Sequence, residues 1–252
     1  MQKSTISKVL LTLAAAFTIS TVNAASVHWS YEGESGPAFW GDLSPDFRLC
    51  KDGLKQTPIN LYRAREEKLP SLQIAYKDTP LTIKNNGHTI QVNYAAGSYL
   101  TVGGKKYQLL QFHFHTPSEH AKDGRSFDME GHLVHIDEYG ALGVLGVFMK
   151  AGDGGDNEFL KPIWANMPAT EGEVEVAGAT VNVAKFLPKE REYYNYAGSL
   201  TTPPCSEGVN WMVLEESIRI SKEQLEKFRS LFELNARPEQ PLNGRTIKVL
   251  DN

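Results

Sequence analysis

A β-dominated single domain with a few short surface helices is the fold class this sequence predicts, on three observations. Short stretches of period-2 alternation recur between turn signals. The composition, 41% hydrophobic and 22% charged, is ordinary for a globular chain. No repeat, low-complexity tract or Pro/Ser-rich linker divides the sequence. At 252 residues the length suits one large all-β domain, and it is enough to bury a core without disulfides. A net charge of -4 excludes a basic nucleic-acid-binding footprint, and the apolar content excludes an acidic disordered chain.

The N-terminus comes first. Lys3 and Lys8 are positive, residues 9–17 are apolar apart from Thr12, and no acidic residue precedes Glu32. Val22 and Ala24 put small residues at the two positions a signal peptidase reads, so residues 1–24 are expected to be a signal peptide and 25–252 the mature domain. A membrane anchor would need about 20 apolar residues, so the mature protein is expected to be exported and unanchored. The periplasm is the expected compartment, with a fully extracellular location as the alternative. Cys50 and Cys205 are then the only two cysteines of a chain bound for an oxidising compartment, which favours one long-range disulfide. Two buried thiols or a nucleophilic cysteine are the competing readings, and no Cys-x-x-Cys motif supports redox catalysis.

The strands follow in order. Residues 81–84 run into Asn85-Asn-Gly87, and 88–94 alternate beyond that turn. Residues 99–102 meet Gly103-Gly104, and 105–114 read as the next strand. Segments 132–136 and 142–149 add two more, the second apolar enough to lie centrally in a sheet, and 180–186 and 211–220 complete the set. Two helices are expected. Ser221 and Gln224 match a capping box ahead of Leu225, Phe228 and Phe232 on one face, and a short helix is read over 159–165, where Pro162 limits its length.

Five of the seven histidines fall between positions 113 and 135. In Gln111-Phe-His-Phe-His115 strand alternation sends His113 and His115 to one face, Cα atoms ~6.6 Å apart, and Phe112 and Phe114 to the other. A lone His-x-His pair is more commonly two hydrogen-bonded strand residues. A third histidine on a neighbouring strand turns the balance toward a metal, and three neutral imidazoles with an open fourth position suit a catalytic Zn²⁺. His132 and His135 have opposite strand parity, so only one can join that face. Gln111 stands two residues before His113 and Glu130 two before His132, each placed to fix the far ring nitrogen of its histidine, which favours His132.

These residues resemble the α-class carbonic anhydrases. The resemblance rests on Gln111-Phe-His-Phe-His115, Ser118-Glu-His120, Glu130-Gly-His-Leu-Val-His135 and Gly198-Ser-Leu-Thr-Thr-Pro-Pro204. It extends through Gln56-Thr-Pro-Ile-Asn60, Asn86-Gly-His88, Trp211 and Asn235-Ala-Arg-Pro238, in order from Trp29 to Arg245. It implies a mainly β single domain around a twisted, mostly antiparallel sheet of about ten strands. It implies His113, His115 and His132 as zinc ligands, with Gln111, Glu130 and the Asn235 carbonyl behind them and His135 on the opposite face. Thr201 and Glu119 match the pair that orients the attacking hydroxide. Val134, Val144, Leu200 and Trp211 match the apolar pocket for CO₂, Thr202 a bicarbonate contact, and His88 the proton shuttle. A Cys50–Cys205 bridge is also found in secreted members.

The implied activity is zinc-dependent reversible hydration of CO₂ to bicarbonate and a proton, with ester hydrolysis as a side activity, and a homodimer is left open. Pro117-Ser118 and Gly131 depart from the usual family residues, at no metal or chemistry position. A non-catalytic binding module on the same fold would have lost a ligand, whereas all three are present. A peptidase would carry His-Glu-x-x-His, which does not occur.

Overall fold

The computed structural model describes residues 27–250, so the expected signal peptide lies outside the described residues. Ten strands follow one another across one sheet: β1 (Arg65–Glu67), β2 (Thr79–Asn85), β3 (Ile90–Asn93), β4 (Lys105–His115), β5 (Met129–Ile136), β6 (Leu142–Gly152), β7 (Gly172–Val181), β8 (Tyr193–Ser199), β9 (Glu207–Leu214) and β10 (Lys248–Leu250). Their order is β7-β2-β3-β4-β5-β6-β9-β8-β10-β1, and the strands Gln73–Ala75, Tyr99–Val102 and Ile218–Ser221 bring the sheet to 13. Most neighbours are antiparallel. The parallel pairs are β6 with β9, β6 with Ile218–Ser221, and β10 with β1. A mostly antiparallel twisted sheet is therefore what forms, as the sequence led one to expect.

Alternation along the central strands divides the interior into two cores. Leu145, Val147 and Met149 of β6 enter a large cluster with Phe112, Phe114 and Leu133, while Val144 and Phe148 enter a second with Trp211 and Val213. Because β6 is covered on both faces it reads as an unbroken apolar run, the pattern of a central strand. Register then decides which core a site residue faces. His132 pairs with His113 across to β4 and with Gly146 across to β6, so it shares a face with Val134 and Val144. A bulge between Val134 and His135 skips Leu110 and sets His135 opposite Leu109, on the side of the larger core.

Three expected elements differ in extent. The segment 180–186 is not one strand. β7 ends at Val181 and a 3-10 helix, Val183–Phe186, begins because the Asn182 side chain accepts the Ala184 N–H at 3.0 Å, offering the backbone an alternative to the ladder. The segment 211–220 is two strands. β9 and Ile218–Ser221 meet successive stretches of β6, and between them the Glu215 N–H turns aside to the Glu192 carbonyl at 2.9 Å. The first helix is shorter, Lys161–Ala165, with Pro162 in its first turn, where a missing N–H costs nothing. The second, Lys222–Arg229, has the full capping box at Ser221 and Gln224 and buries Leu225 and Phe228. Two short helices, Trp40–Leu43 and Leu49–Asp52, precede the sheet unanticipated.

Candidate metal centre

Three adjacent strand positions build the centre. His113 and His115 project from the end of β4 and His132 from β5, and one ring nitrogen of each lies within 4.8 Å of one from each of the others. The remaining nitrogens are all committed. His113 Nδ1 donates to Gln111 Oε1 at 2.9 Å, His115 Nδ1 to the Asn235 carbonyl at 2.7 Å, and His132 Nε2 to Glu130 Oε1 at 2.9 Å. That leaves His113 Nε2, His115 Nε2 and His132 Nδ1 carrying lone pairs toward a common point, which suits a cation. His115 Nε2 is buried and has no hydrogen-bond partner, the condition expected of a nitrogen kept for a metal.

Electrostatics favour the neutral ring at His113 and His115. Burial, and after it the neighbouring His115 and His132, push His113 well below the usual imidazole range. Burial likewise lowers His115, with Glu119 opposing. His132 goes the other way, because Glu130 outweighs its burial. Glu130 is itself fully buried, which alone would raise its pKa, but His120 and His132 hold it well below the carboxylate range. His120 clamps that carboxylate twice, Nδ1 at 2.8 Å and backbone N–H at 2.9 Å, while its Nε2 meets the Tyr196 hydroxyl at 2.6 Å. Every nitrogen of His120 is used, so His120, Glu130 and His132 form a brace and not a second ion site.

Glu119 is 3% exposed. Its Oε1 accepts the Arg237 backbone N–H at 2.9 Å, while Oε2 has no hydrogen-bond partner and lies 3.6 Å from His115 Nε2 and 3.8 Å from His132 Nδ1. Thr201 is buried in the chain segment after β8, but no hydrogen bond links its hydroxyl to Glu119, whose free oxygen turns toward the histidines. Thr202 lines one cavity with His88, His113 and His115. His88 is half-buried there and stacked on Trp29, ring centroids 3.7 Å apart, and burial lowers its pKa, with Glu171 opposing. Val134, Val144, Leu200 and Trp211 pack in one apolar cluster, and Trp211 stands edge-on to His132 at 4.9 Å.

Cys50 and Cys205 are bonded, and the Cys205 N–H donates to the Thr202 carbonyl at 2.8 Å, closing the turn after Thr201. Gly131 is explained by its neighbour, since a Cβ there would stand 2.7 Å from the Phe186 ring. His135 lies apart, Nδ1 donating to the Gly143 carbonyl at 3.2 Å and Nε2 accepting from Tyr76 at 2.7 Å. His120, Tyr196 and Arg237 were not singled out from sequence. His120 and Arg237 lie inside the motifs Ser118-Glu-His120 and Asn235-Ala-Arg-Pro238, the only signal that pointed to them.

Three convergent imidazoles at the middle of a large twisted sheet, beside an apolar wall, define the architecture of an α-class carbonic anhydrase. The comparisons agree: the model of the eukaryotic-type carbonic anhydrase family matches residues 35–250. A carbonic anhydrase of Neisseria gonorrhoeae is 46% identical over 241 residues, 95% of this chain and 94% of that one. The α-carbonic anhydrase of Thermovibrio ammonificans superposes with a TM-score of 0.86 at 44% identity, covering 89% of this chain and 100% of that one. A hyperthermostable carbonic anhydrase from a hydrothermal vent chimney gives 0.86 at 48% identity, with the same coverage of 89% and 100%. The chain belongs to the carbonic anhydrase family, as an enzyme of the α class. Enzymes of this class use zinc and act on CO₂ and bicarbonate, and His113, His115 and His132 are the candidate zinc site.

Proposed function

We propose that this chain hydrates CO₂ reversibly to bicarbonate and a proton at a zinc ion held by His113, His115 and His132. The observation that carries the reading is the set of three convergent ring nitrogens whose opposite nitrogens are each tied to an oxygen acceptor. Zinc bound there would act as a Lewis acid that makes hydroxide available from water near neutral pH, an effect for which the carbonic anhydrases are the standard example. The chain's own residues do the rest. Gln111, Asn235 and Glu130 hold the ring tautomers, and neutral ligands leave the ion's charge largely uncompensated. Thr201 makes no hydrogen bond to Glu119 in the structure. By turning its hydroxyl to donate to Glu119 Oε2 in the loaded site it would be left able only to accept from a reacting hydroxyl, and so would set the direction of that group's lone pair. Val134, Val144, Leu200 and Trp211 give CO₂ an apolar resting place and exclude water. Thr202 contacts the bicarbonate formed, and His88 takes the released proton to solvent, a role an imidazole suits, here with its pKa lowered by burial.

Slow ester cleavage would follow from the same centre. Export, to the periplasm or beyond the cell, belongs to this reading and is supported by the Cys50–Cys205 bond. Metal analysis with a CO₂ hydration assay tests it. One zinc per chain is expected, with hydration lost on chelation and regained with zinc; a zinc-loaded chain that does not hydrate CO₂ would overturn the reading. In weak buffer His88→Ala should lower kcat, leave kcat/KM nearly unchanged and recover with added imidazole.

A further inference from the structure

Residues 235–237 lie in neither a helix nor a strand, yet they supply two groups to the centre: the Asn235 carbonyl to His115 and the Arg237 backbone N–H to Glu119. Irregular backbone holds such groups in place only if its side chains are tied down. Asn235 is tied to the end of β4, its amide donating to the Phe114 carbonyl at 2.9 Å and accepting the Thr116 N–H at 2.7 Å. Arg237 is tied elsewhere. The residue is 2% exposed; Nη1 donates to Gln56 Oε1 at 2.8 Å and the Thr57 carbonyl at 2.9 Å, and Nη2 to the Cys50 carbonyl at 3.0 Å. The guanidinium also lies 5.7 Å from the centroid of the Trp40 ring, and only Nε lacks a partner. Burial draws its pKa down to about 10, with Glu119 opposing, so the group stays charged at neutral pH. A planar fork meeting three oxygen acceptors from one segment of chain is a rigid attachment that a lysine cannot reproduce.

We propose that Arg237 is a positioning residue: its guanidinium, anchored to Cys50, Gln56 and Thr57, holds the backbone N–H that orients Glu119, and through Glu119 it sets the rate of CO₂ hydration. The assignment rests on the reading of Glu119 given above. It is tested by a double-mutant cycle on the full chain, with Arg237→Gln and Arg237→Lys each made alone and together with Glu119→Gln. Hydration kcat and KM, zinc per chain and the thermal midpoint are measured for every variant. Each Arg237 variant should keep its zinc and lose kcat on the order of tenfold, with KM little changed and Lys milder than Gln. In the Glu119→Gln background the further loss should fall below about twofold, because the residue through which Arg237 acts has already been replaced.

Equal losses in both backgrounds would make Arg237 a general support of the fold and overturn the assignment, as would loss of zinc. Full activity in Glu119→Gln alone would overturn the reading of Glu119, and the assignment with it; a normal loss there, with additive effects, overturns the assignment alone. Should Arg237→Gln not fold, Arg237→Lys carries the same cycle.

Discussion

His132 and His135 stand three residues apart on β5, are 1% and 0% exposed, and have opposite chemistry. His132 gives one nitrogen to a carboxylate and keeps the other among two more imidazoles, and Glu130 raises its affinity for protons. His135 spends both nitrogens on neutral partners, Tyr76 and the Gly143 carbonyl, and burial with no carboxylate nearby lowers it to about 4. Residue type, strand and depth are shared. What differs is whether a nitrogen is left over, and that follows from strand parity and the bulge between Val134 and His135. Burial therefore does not make a histidine a ligand; an uncommitted lone pair does.

The sharpest way to break the comparison is to delete each ring. His132→Ala should empty the zinc site and abolish hydration. His135→Ala should keep one zinc per chain and lose only stability, about 1–3 kcal/mol from the unpaired Tyr76 hydroxyl and Gly143 carbonyl. Metal analysis beside thermal melts decides it, and a zinc-free His135→Ala that still folds would refute the division.

Much of this contrast was legible in sequence, because it rests on local spacing. Alternation placed His113 and His115 on one face, and an oxygen acceptor two residues earlier marked both His113 and His132. What reaches across the fold was not legible from spacing. The acceptor for His115 is a backbone carbonyl 120 residues away, and since a carbonyl has no residue type to betray it, only the family resemblance pointed to Asn235. Tyr76 meets His135 across 59 residues, and nothing near either one announces the pair. The break in 211–220 was hidden for a similar reason: whether a strand continues depends on what the neighbouring β6 offers opposite it. Arg237 could have been noticed only as a member of its motif, since a single arginine in a loop is ordinarily solvated.

A gentler perturbation acts on the partner of His132. Glu130→Gln keeps the shape but removes the charge that raises His132, and it takes the carboxylate away from His120 Nδ1. Losing such a group behind a ligand costs about 10- to 100-fold in metal affinity. Competition against a zinc chelator should show that loss. An unchanged affinity would mean that the carboxylate only aligns the ring.

On the other side of the comparison, His135 should make the protein acid-sensitive. Its folded-state pKa of about 4 lies below the unfolded value of about 6.5, so the native state binds fewer protons between those limits. The stabilisation is full above pH 6.5 and is lost as pH falls toward 4, about 3 kcal/mol in all. Other groups titrate in the same window, so the measurement is a difference. Denaturant melts of wild type and His135→Gln should lose stability at different rates between pH 7 and pH 5, the wild type faster. Parallel curves would mean that His135 is already charged in the fold or never fully buried.

The smallest change tests whether Tyr76 matters to that titration. His135 Nδ1 donates to a carbonyl, so Nε2 is the acceptor and the Tyr76 hydroxyl the donor, an arrangement that exists only while the ring is neutral. Tyr76→Phe removes that donor and leaves a buried nitrogen unpaired, at a cost of about 1 kcal/mol at pH 7. It also removes a hydrogen bond that favoured the neutral form, so the folded pKa of His135 should rise and the acid-dependent loss should shrink. The variant would then be less stable than wild type at pH 7 and close to it at pH 5, with zinc binding untouched because His132 faces the other core. A constant offset at both pH values would show that the hydroxyl contributes packing and solvation only, and that burial alone keeps His135 neutral.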